Sequence, residues 1–354
     1  MTETAPDALA GGDARPFCEP GRAPARKSSR LVTLGVTGDW AFAAGTLLLA
    51  LRRHNPDLGA DILVFHDDGL RPSDRALLEG LGAHCEPFAV ACDGLRPEAV
   101  RLLSPLSLAK FACFRLLADY ESVLWLDTDL VVQDDLGDVF SHGPLALAVE
   151  DPEFTGEGRT CGAAVNFYEP VPGVDGDAPN LNTGVMVWRR GLRDPEALER
   201  RCLDFLQAHG PKLRYPDQAA LNALAQWMRI ERPGELAELP RRFNCHPRNP
   251  AAVYAPVVHA FGAYKLWNDG LTAACFPEWQ RDYARWLRLG GSPYAGPVDN
   301  AAYGEGGAFY LLRGLFDTIG KSEQALNSLR ERLAAESAAR KKLEDLLRRL
   351  QPRT

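Results

Sequence analysis

From residue 31 onward, short continuous apolar runs alternate with longer stretches whose apolar residues recur every three or four positions. Runs of four to eight buried residues bounded by turn signals suit strands covered on both faces, and the three-to-four spacing suits amphipathic helices packed on them. The run LVTLGV at residues 31–36 predicts a first strand, followed by the turn TGDW and the helix AFAAGTLLLALRRH. DILVFH at residues 61–66 predicts a second strand. A helix follows RPSD, with Ser73 or Asp74 as its N-cap, and a third strand falls near residues 85–90. This alternation continues up to Asp127 and predicts an α/β fold with a mostly parallel, doubly wound sheet that binds a nucleotide.

After LALAVED at residues 145–151 the pattern breaks into about thirty residues rich in Gly, Pro and Asn. A loop of that length inside a domain is functional or mobile. The strand GVMVW, opening at Gly184, and a helix over residues 194–209 then resume the core. The end of the chain is of another kind. Leu326, Leu329, Leu333, Leu343, Leu347 and Leu350 occupy a and d positions of one heptad frame, interrupted by Glu336 and Arg340. From Lys321 onward there are nine basic and five acidic residues, a local +4 in a chain of net charge -7. A short coiled coil giving a homodimer, a helix lying on an anionic membrane, and a helix docked on the body all fit this pattern. The expected organisation is a disordered leader over 1–30, a body over 31–290, a connecting segment over 291–320 and an amphipathic helix over 321–354.

Composition narrows the class. Of 354 residues 46% are apolar and 25% charged, ordinary values for a globular chain able to bury a large core. The acidic balance argues against a nucleic-acid partner, and no apolar run reaches the length of a membrane span. Residues 1–30 have no apolar stretch behind their charges, so they do not read as a secretory signal. Eight cysteines are scattered singly without a CxxC pair, which points to reduced thiols, a cytoplasmic location and no zinc site.

The chemistry begins at SVLWLDTDLVV, where an apolar strand runs into Asp127 and Asp129. Ligands of such sheets gather beyond the carboxyl ends of the strands. Residues i and i+2 of an extended segment point the same way, so the two carboxylates can converge while Thr128 turns aside. Held that close they repel each other unless a cation lies between them. A turn of Asx residues capping the next element accounts for the same stretch. Three later segments add to the pair: NLNTGVMVW, with Asn182, Thr183 and Gly184 just before a strand; YPDQAALNAL, with Asp217 and Gln218 at a helix start; and VVHAFGAYKLWN, with His259, Gly262 and Lys265.

In this order after the aspartate pair, the segments resemble glycosyltransferase family eight, the glycogenin and bacterial lipopolysaccharide galactosyltransferase group with the GT-A fold, over roughly residues 31–268. The resemblance implies a retaining transferase that takes a hexose from a UDP-sugar with Mn²⁺ or Mg²⁺. Carried over residue by residue, it makes Asp127, Asp129 and His259 metal ligands, a donor set that suits a hard divalent ion. It places Gly262 and Lys265 at the diphosphate and Trp40 against uracil, with the backbone and side chain of Val36 and Thr37 at the base edge. The usual acidic or amide residue near Thr37 is missing, although Asp39 is two positions on. Lys110 falls where the family places a basic residue near sugar or phosphate, and Asp151 and Asn182 where donor hydroxyls are held, with Thr128, Thr183 and Gly184 also counted among the donor-binding residues. Gln218 is the implied neighbour of the anomeric carbon, with Asp217 beside it. An amide is a poor nucleophile, so front-face attack through an oxocarbenium-like ion pair is preferred over a double displacement at Asp217. The acceptor can be a glycan, a lipid-linked glycan or a protein side chain.

Two competing readings share the same residues. LWLDTDLVV also fits the first motif of haloacid-dehalogenase-type phosphatases, although that motif opens its domain and here about ninety residues of strand and helix precede it. A catalytically silent GT-A domain acting as a scaffold is the other.

Overall fold

The structure is a computed structural model that describes residues 27–89, 92–102, 104–150, 162–262 and 265–298, with 326–330, 332–337 and 340–341 of the tail. The chain divides into two units, Met1–Val298 and Asp299–Thr354. In the first, β1 (Arg30–Val36), α1 (Ala41–His54), β2 (Ala60–His66), α2 (Pro72–Gly80) and β3 (His84–Pro87) come first. They are followed by α3 (Pro97–Leu102), a 3₁₀ segment (Pro105–Phe111), α4 (Ala112–Leu116), β4 (Ser122–Leu126), β5 (Leu130–Val132) and β6 (Leu145–Val149). Next are β7 (Leu181–Arg189), α5 (Pro195–His209), α6 (Pro216–Glu231), β8 (Leu236–Glu238), β9 (Val257–His259), α7 (Gly270–Cys275) and α8 (Pro277–Arg288).

Seven strands form one sheet in the order β3-β2-β1-β4-β7-β6-β8, and β5 pairs with β9 in a separate ribbon. β1 runs parallel to β2 and β4, β2 to β3 and β6 to β8, while β7 runs antiparallel to both its neighbours. The strands are apolar on both faces because both are covered. Val32, Leu34, Leu124 and Leu126 point into the layer built on α1, β5 and β9, and Leu31, Val123 and Trp125 into the layer built on α4, α5 and α6. Burying each of these side chains contributes about 1.5–3 kcal/mol. α1 is buried all round from Ala41 to Leu51, caught between the sheet and α8.

Some boundaries differ from the expectation. Arg71 is the N-cap of α2 and Pro72 opens it, because proline has no N–H to lose in the first turn. Asp74, expected as a cap, is instead fully buried and accepts from Arg71 Nε at 2.8 Å and Ser292 N at 2.9 Å. β3 stops at Pro87, which cannot donate to a ladder. β7 begins at Leu181, so Asn182, Thr183 and Gly184 lie within the strand rather than before it. The long irregular segment is described from Gly162, where a 3₁₀ turn (Ala163–Asn166) is tied to residues 176–178 by backbone hydrogen bonds. The leader up to residue 26 and Asp151 lie outside the described residues. Six cysteines are free among the described residues, Cys85, Cys92, Cys113, Cys202, Cys245 and Cys275. The described tail residues are helical. Among the described residues no helix is long and apolar enough to cross a membrane.

Candidate active site

The antiparallel direction of β7 builds the site. β1 and β4 end at the same edge of the sheet, and β7, running the other way, begins there. Leu126 therefore faces Val185, and the Asp127 amide donates to the Gly184 carbonyl at 2.8 Å. Just beyond, β5 leaves from Asp129 and pairs with β9, setting Leu130 opposite His259. The Ala260 amide donates to the Asp129 carbonyl at 3.0 Å, which locks the histidine segment to the aspartate segment.

One carboxylate oxygen each from Asp127 and Asp129 and a ring nitrogen of His259 lie within 4.8 Å of one another. His259 Nε2 is 3.0 Å from Asp129 Oδ1 and 3.8 Å from Asp127 Oδ2. Its other ring nitrogen, Nδ1, is 2.8 Å from Asn244 Oδ1 and 3.1 Å from Asn182 Oδ1. The Asn182 oxygen is identified by a backbone donor, since it also accepts from the Gly184 amide at 2.9 Å. Facing amide oxygens, Nδ1 carries the proton and Nε2 presents its lone pair toward the aspartates. That is how a histidine is prepared to ligate a metal. Two hard carboxylates and one oriented imidazole fit a divalent cation.

The cations nearby are placed with equal care. Lys110, in the 3₁₀ segment before α4, is 1% exposed and reaches Asp217 Oδ2 at 2.6 Å, Asp127 Oδ1 at 3.1 Å and Thr183 Oγ1 at 3.3 Å. Burial alone would lower its pKa, but Asp127 and Asp217 override that and raise it, so the ammonium stays charged. Burial would likewise raise the Asp129 carboxyl. Lys265 outweighs burial and holds it far below the ordinary carboxylate range. Lys265 Nζ bonds Asp129 Oδ2 directly. Gly262, before it, has φ of +92°, a conformation that favours glycine.

A cleft of about 330 Å³ opens over these groups, lined by Gly35, Thr37, Trp40, Arg101, Trp125, Asp127, Thr128, Asp129 and Lys265, among others. Thr128, counted among the donor-binding residues, is on this wall. Trp40 is half-buried and packs edge-on against Trp267, with centroids 5.1 Å apart. Val36 does not reach the cleft with its side chain, which is 1% exposed and belongs to the core. The strand alternation that places Gly35 and Thr37 on one face turns Val36 to the other.

At the start of α6, Asp217 is 3% exposed, and its Oδ2 accepts from Lys110 and from Thr183 Oγ1 at 3.3 Å. Its Oδ1 is buried without a hydrogen-bond partner. Gln218 is half-buried, accepts from the Thr183 amide at 3.4 Å and donates to Asn166 Oδ1 at 2.9 Å. Asn182, expected on a donor hydroxyl, turns its carbonyl to the back of His259. Three supporting residues were not singled out in the sequence: Asn244 behind His259, Asn166 behind Gln218, and Trp125, whose indole donates to Asp127 Oδ1 at 2.7 Å. Only the Trp125 contact, two residues from its acceptor, had a pattern to read.

The mostly parallel seven-stranded sheet, with Asp127, Asp129 and His259 at its carboxyl edge, has the GT-A architecture. Among solved structures, the chain superposes on the galactosyltransferase LgtC, in complex with donor and acceptor sugar analogues, with a TM-score of 0.54 at 17% identity, covering 73% of this chain and 99% of that one. It also matches the apo bifunctional glycosyltransferase WbbM with a TM-score of 0.56 at 16% identity, over 76% of this chain and 52% of that one. At such identities the likeness establishes the fold. The model of glycosyl transferase family 8 matches residues 31–270, and the chain belongs to that family. It is a glycosyltransferase, and the phosphatase reading of LWLDTDLVV falls away. A comparison with curated proteins gave no match.

Proposed function

We propose that the chain is a retaining, metal-dependent hexosyltransferase that uses a UDP-sugar donor and a hydroxyl acceptor. The observation that carries this reading is the convergence of Asp127, Asp129 and an oriented His259 at the floor of a cleft whose far wall holds Thr37 and Trp40. A nucleoside diphosphate fits the span: base against Trp40 and the main chain at residues 35–37, diphosphate over the aspartates, and Lys265 at the phosphates. Asp127, Asp129 and His259 would hold Mn²⁺ or Mg²⁺, which would supply positive charge to a leaving diphosphate.

The chain's own residues support front-face attack. Asp217 is neutralised by Lys110 at 2.6 Å and is nearly sealed from solvent, which makes it a weak nucleophile. Gln218, fixed by Thr183 and Asn166, offers an amide dipole rather than a bond-forming anion. The acceptor hydroxyl then gives its proton to a diphosphate oxygen. Calorimetry of UDP-sugar binding with Mn²⁺ and with chelator tests the reading, alongside Mn²⁺-dependent UDP release. We expect binding and release only with the ion, both lost in Asp129→Ala with the fold intact. Equal affinity with chelator would overturn the metal assignment, and Mn²⁺-dependent binding without any release across a panel of UDP-sugars would favour the silent scaffold.

A further inference from the structure

Behind Gln218 stands a line of three buried polar side chains, none of which lines the cleft. Gln218 Nε2 donates to Asn166 Oδ1 at 2.9 Å, and Asn166 Nδ2 donates to Asn180 Oδ1 at 2.7 Å. Asn180 Nδ2 donates in turn to Glu150 Oε2. Asn166 and Asn180 are sealed from solvent and Glu150 is 5% exposed. Glu150 follows β6, Asn180 precedes β7, Asn166 ends its 3₁₀ turn and Gln218 lies in the first turn of α6. Main-chain bonds hold each member in place. The Glu150 amide donates to the Asn180 carbonyl and the Arg214 amide to the Asn166 carbonyl, both at 2.8 Å. Asn222 Nδ2 donates to the Gln218 carbonyl at 2.8 Å.

The line has a sense. A carboxylate only accepts and a backbone N–H only donates, whereas a side-chain amide can be turned either way. The Glu150 carboxylate takes the NH₂ of Asn180, which leaves the Asn180 oxygen for Asn166. Asn166 then keeps its own oxygen for Gln218, whose NH₂ must face it. Gln218 Oε1 is thereby left on the side of the Thr183 amide, from which it accepts at 3.4 Å. Thr183 Oγ1 is bonded by Lys110, which also reaches Asp127, so this oxygen lies on the side of the aspartates. The two ends demand the same sense. Reversing it would set oxygen against oxygen at Glu150 and N–H against N–H at Thr183, in a setting without water to compensate.

We infer that Glu150 is a positioning residue: through Asn180 and Asn166 it holds the Gln218 amide with its oxygen, not its NH₂, toward the donor sugar. The role in transfer rests on the reading proposed above, in which positive charge develops at the anomeric carbon beside Gln218. The oxygen is the negative end of the amide dipole and stabilises that charge; NH₂ in its place would oppose it.

Thermal melts of the full-length chain test the relay without reference to the reaction. Glu150→Gln alone should lower the melting temperature by about 2 °C or more, because an end that only accepts becomes one that can turn either way. Gln218→Glu should lower it too. A carboxylate there takes the NH₂ of Asn166, Asn166 takes the NH₂ of Asn180, and the Asn180 oxygen is turned on Glu150. In that background Glu150→Gln can donate to the turned oxygen, so the double variant should melt above Gln218→Glu alone. The same substitution thus changes sign between backgrounds, and additive losses overturn the relay. Asn180→Ala cuts the line and should abolish the rescue; a rescue that persists reports direct repulsion between the two acids and also overturns the relay. Kinetics give a readout that does not depend on that variant folding. With UDP-glucose and UDP-galactose, Glu150→Gln should lower kcat for Mn²⁺-dependent UDP release about threefold or more with KM nearly unchanged, since the dipole acts on charge present only in the transition state. A wild-type kcat, or a loss confined to KM, overturns the positioning role. A wild type that releases no UDP refutes the transfer reading and the role in transfer with it, and the melts then decide the relay alone.

Discussion

Gly184 offers the sharpest test of how the site is assembled. A Cβ at this position would lie 2.0 Å from His259 Cε1, 2.4 Å from Nδ1 and 2.7 Å from Nε2. Ordinary contact begins near 3.4 Å, so in Gly184→Ala the ring has to retreat by roughly 1.4 Å or the strand has to move. The strand is held, because the Gly184 carbonyl accepts from the Asp127 amide at 2.8 Å and its amide donates to Asn182 at 2.9 Å. The ring is the softer partner, yet its displacement breaks the contacts of Nδ1 with Asn182 and Asn244. Overpacking of this kind costs about 1–3 kcal/mol. Metal sites tolerate ligand shifts of only about 0.2 Å, and losing the support of one ligand lowers affinity about 10–100-fold. Gly184→Ala should therefore melt lower than wild type and bind Mn²⁺ at least tenfold more weakly by calorimetry. In a His259→Ala background the clash is gone, and the same substitution should cost under about 0.5 kcal/mol, the departure from additivity expected of residues in direct contact. Wild-type melting and Mn²⁺ affinity in the single variant, or an equal cost in both backgrounds, would refute the reasoning.

Lys110→Met removes the cation that Asp127 and Asp217 share, and should lower stability by about 3–5 kcal/mol in urea titrations, as expected when a buried charge loses its partner; an unchanged midpoint would contradict the network. Asn244→Ala should weaken Mn²⁺ binding about tenfold or more with little change in melting, since Asn244 orients His259 without touching the cleft; wild-type affinity would show that the orientation is idle. Burial pushes the Glu199 carboxyl up to about 7, with Arg115 Nη2 at 3.0 Å only partly opposing it. A folded pKa above the unfolded one means that the folded chain holds the extra proton, so this group's contribution to stability falls as pH rises from about 4.5 to 7. Thermal melts should show that decline in wild type and a flatter profile in Glu199→Gln; parallel profiles would remove Glu199 as its source.

The sequence by itself determined the strands, the helices and the aspartate pair. Continuous apolar runs report burial on both faces, and burial of a short β-branched run needs no knowledge of its neighbours. The aspartates at the end of SVLWL were legible for the same reason, since a polar interruption after a buried strand falls at the edge of a sheet. What a histidine does there was not legible from periodicity. His259 meets Asn182 and Asn244 across sequence separations of 77 and 15 residues, and those contacts exist only because β7 enters the sheet antiparallel and β9 folds back on β5. Strand direction is set by the path of the connecting chain, not by the side-chain pattern of the strand. That direction set the Asn182 carbonyl at the back of the imidazole and made Thr183 a partner of Lys110 and Asp217. Alternation along β1 sent Val36 into the core while Gly35 and Thr37 faced the cleft. The residue types of the site were written in the chain, but which of them face the ligand and which hold the others still was decided by the tertiary fold, because hydrogen bonds between distant segments leave no periodic trace in either one.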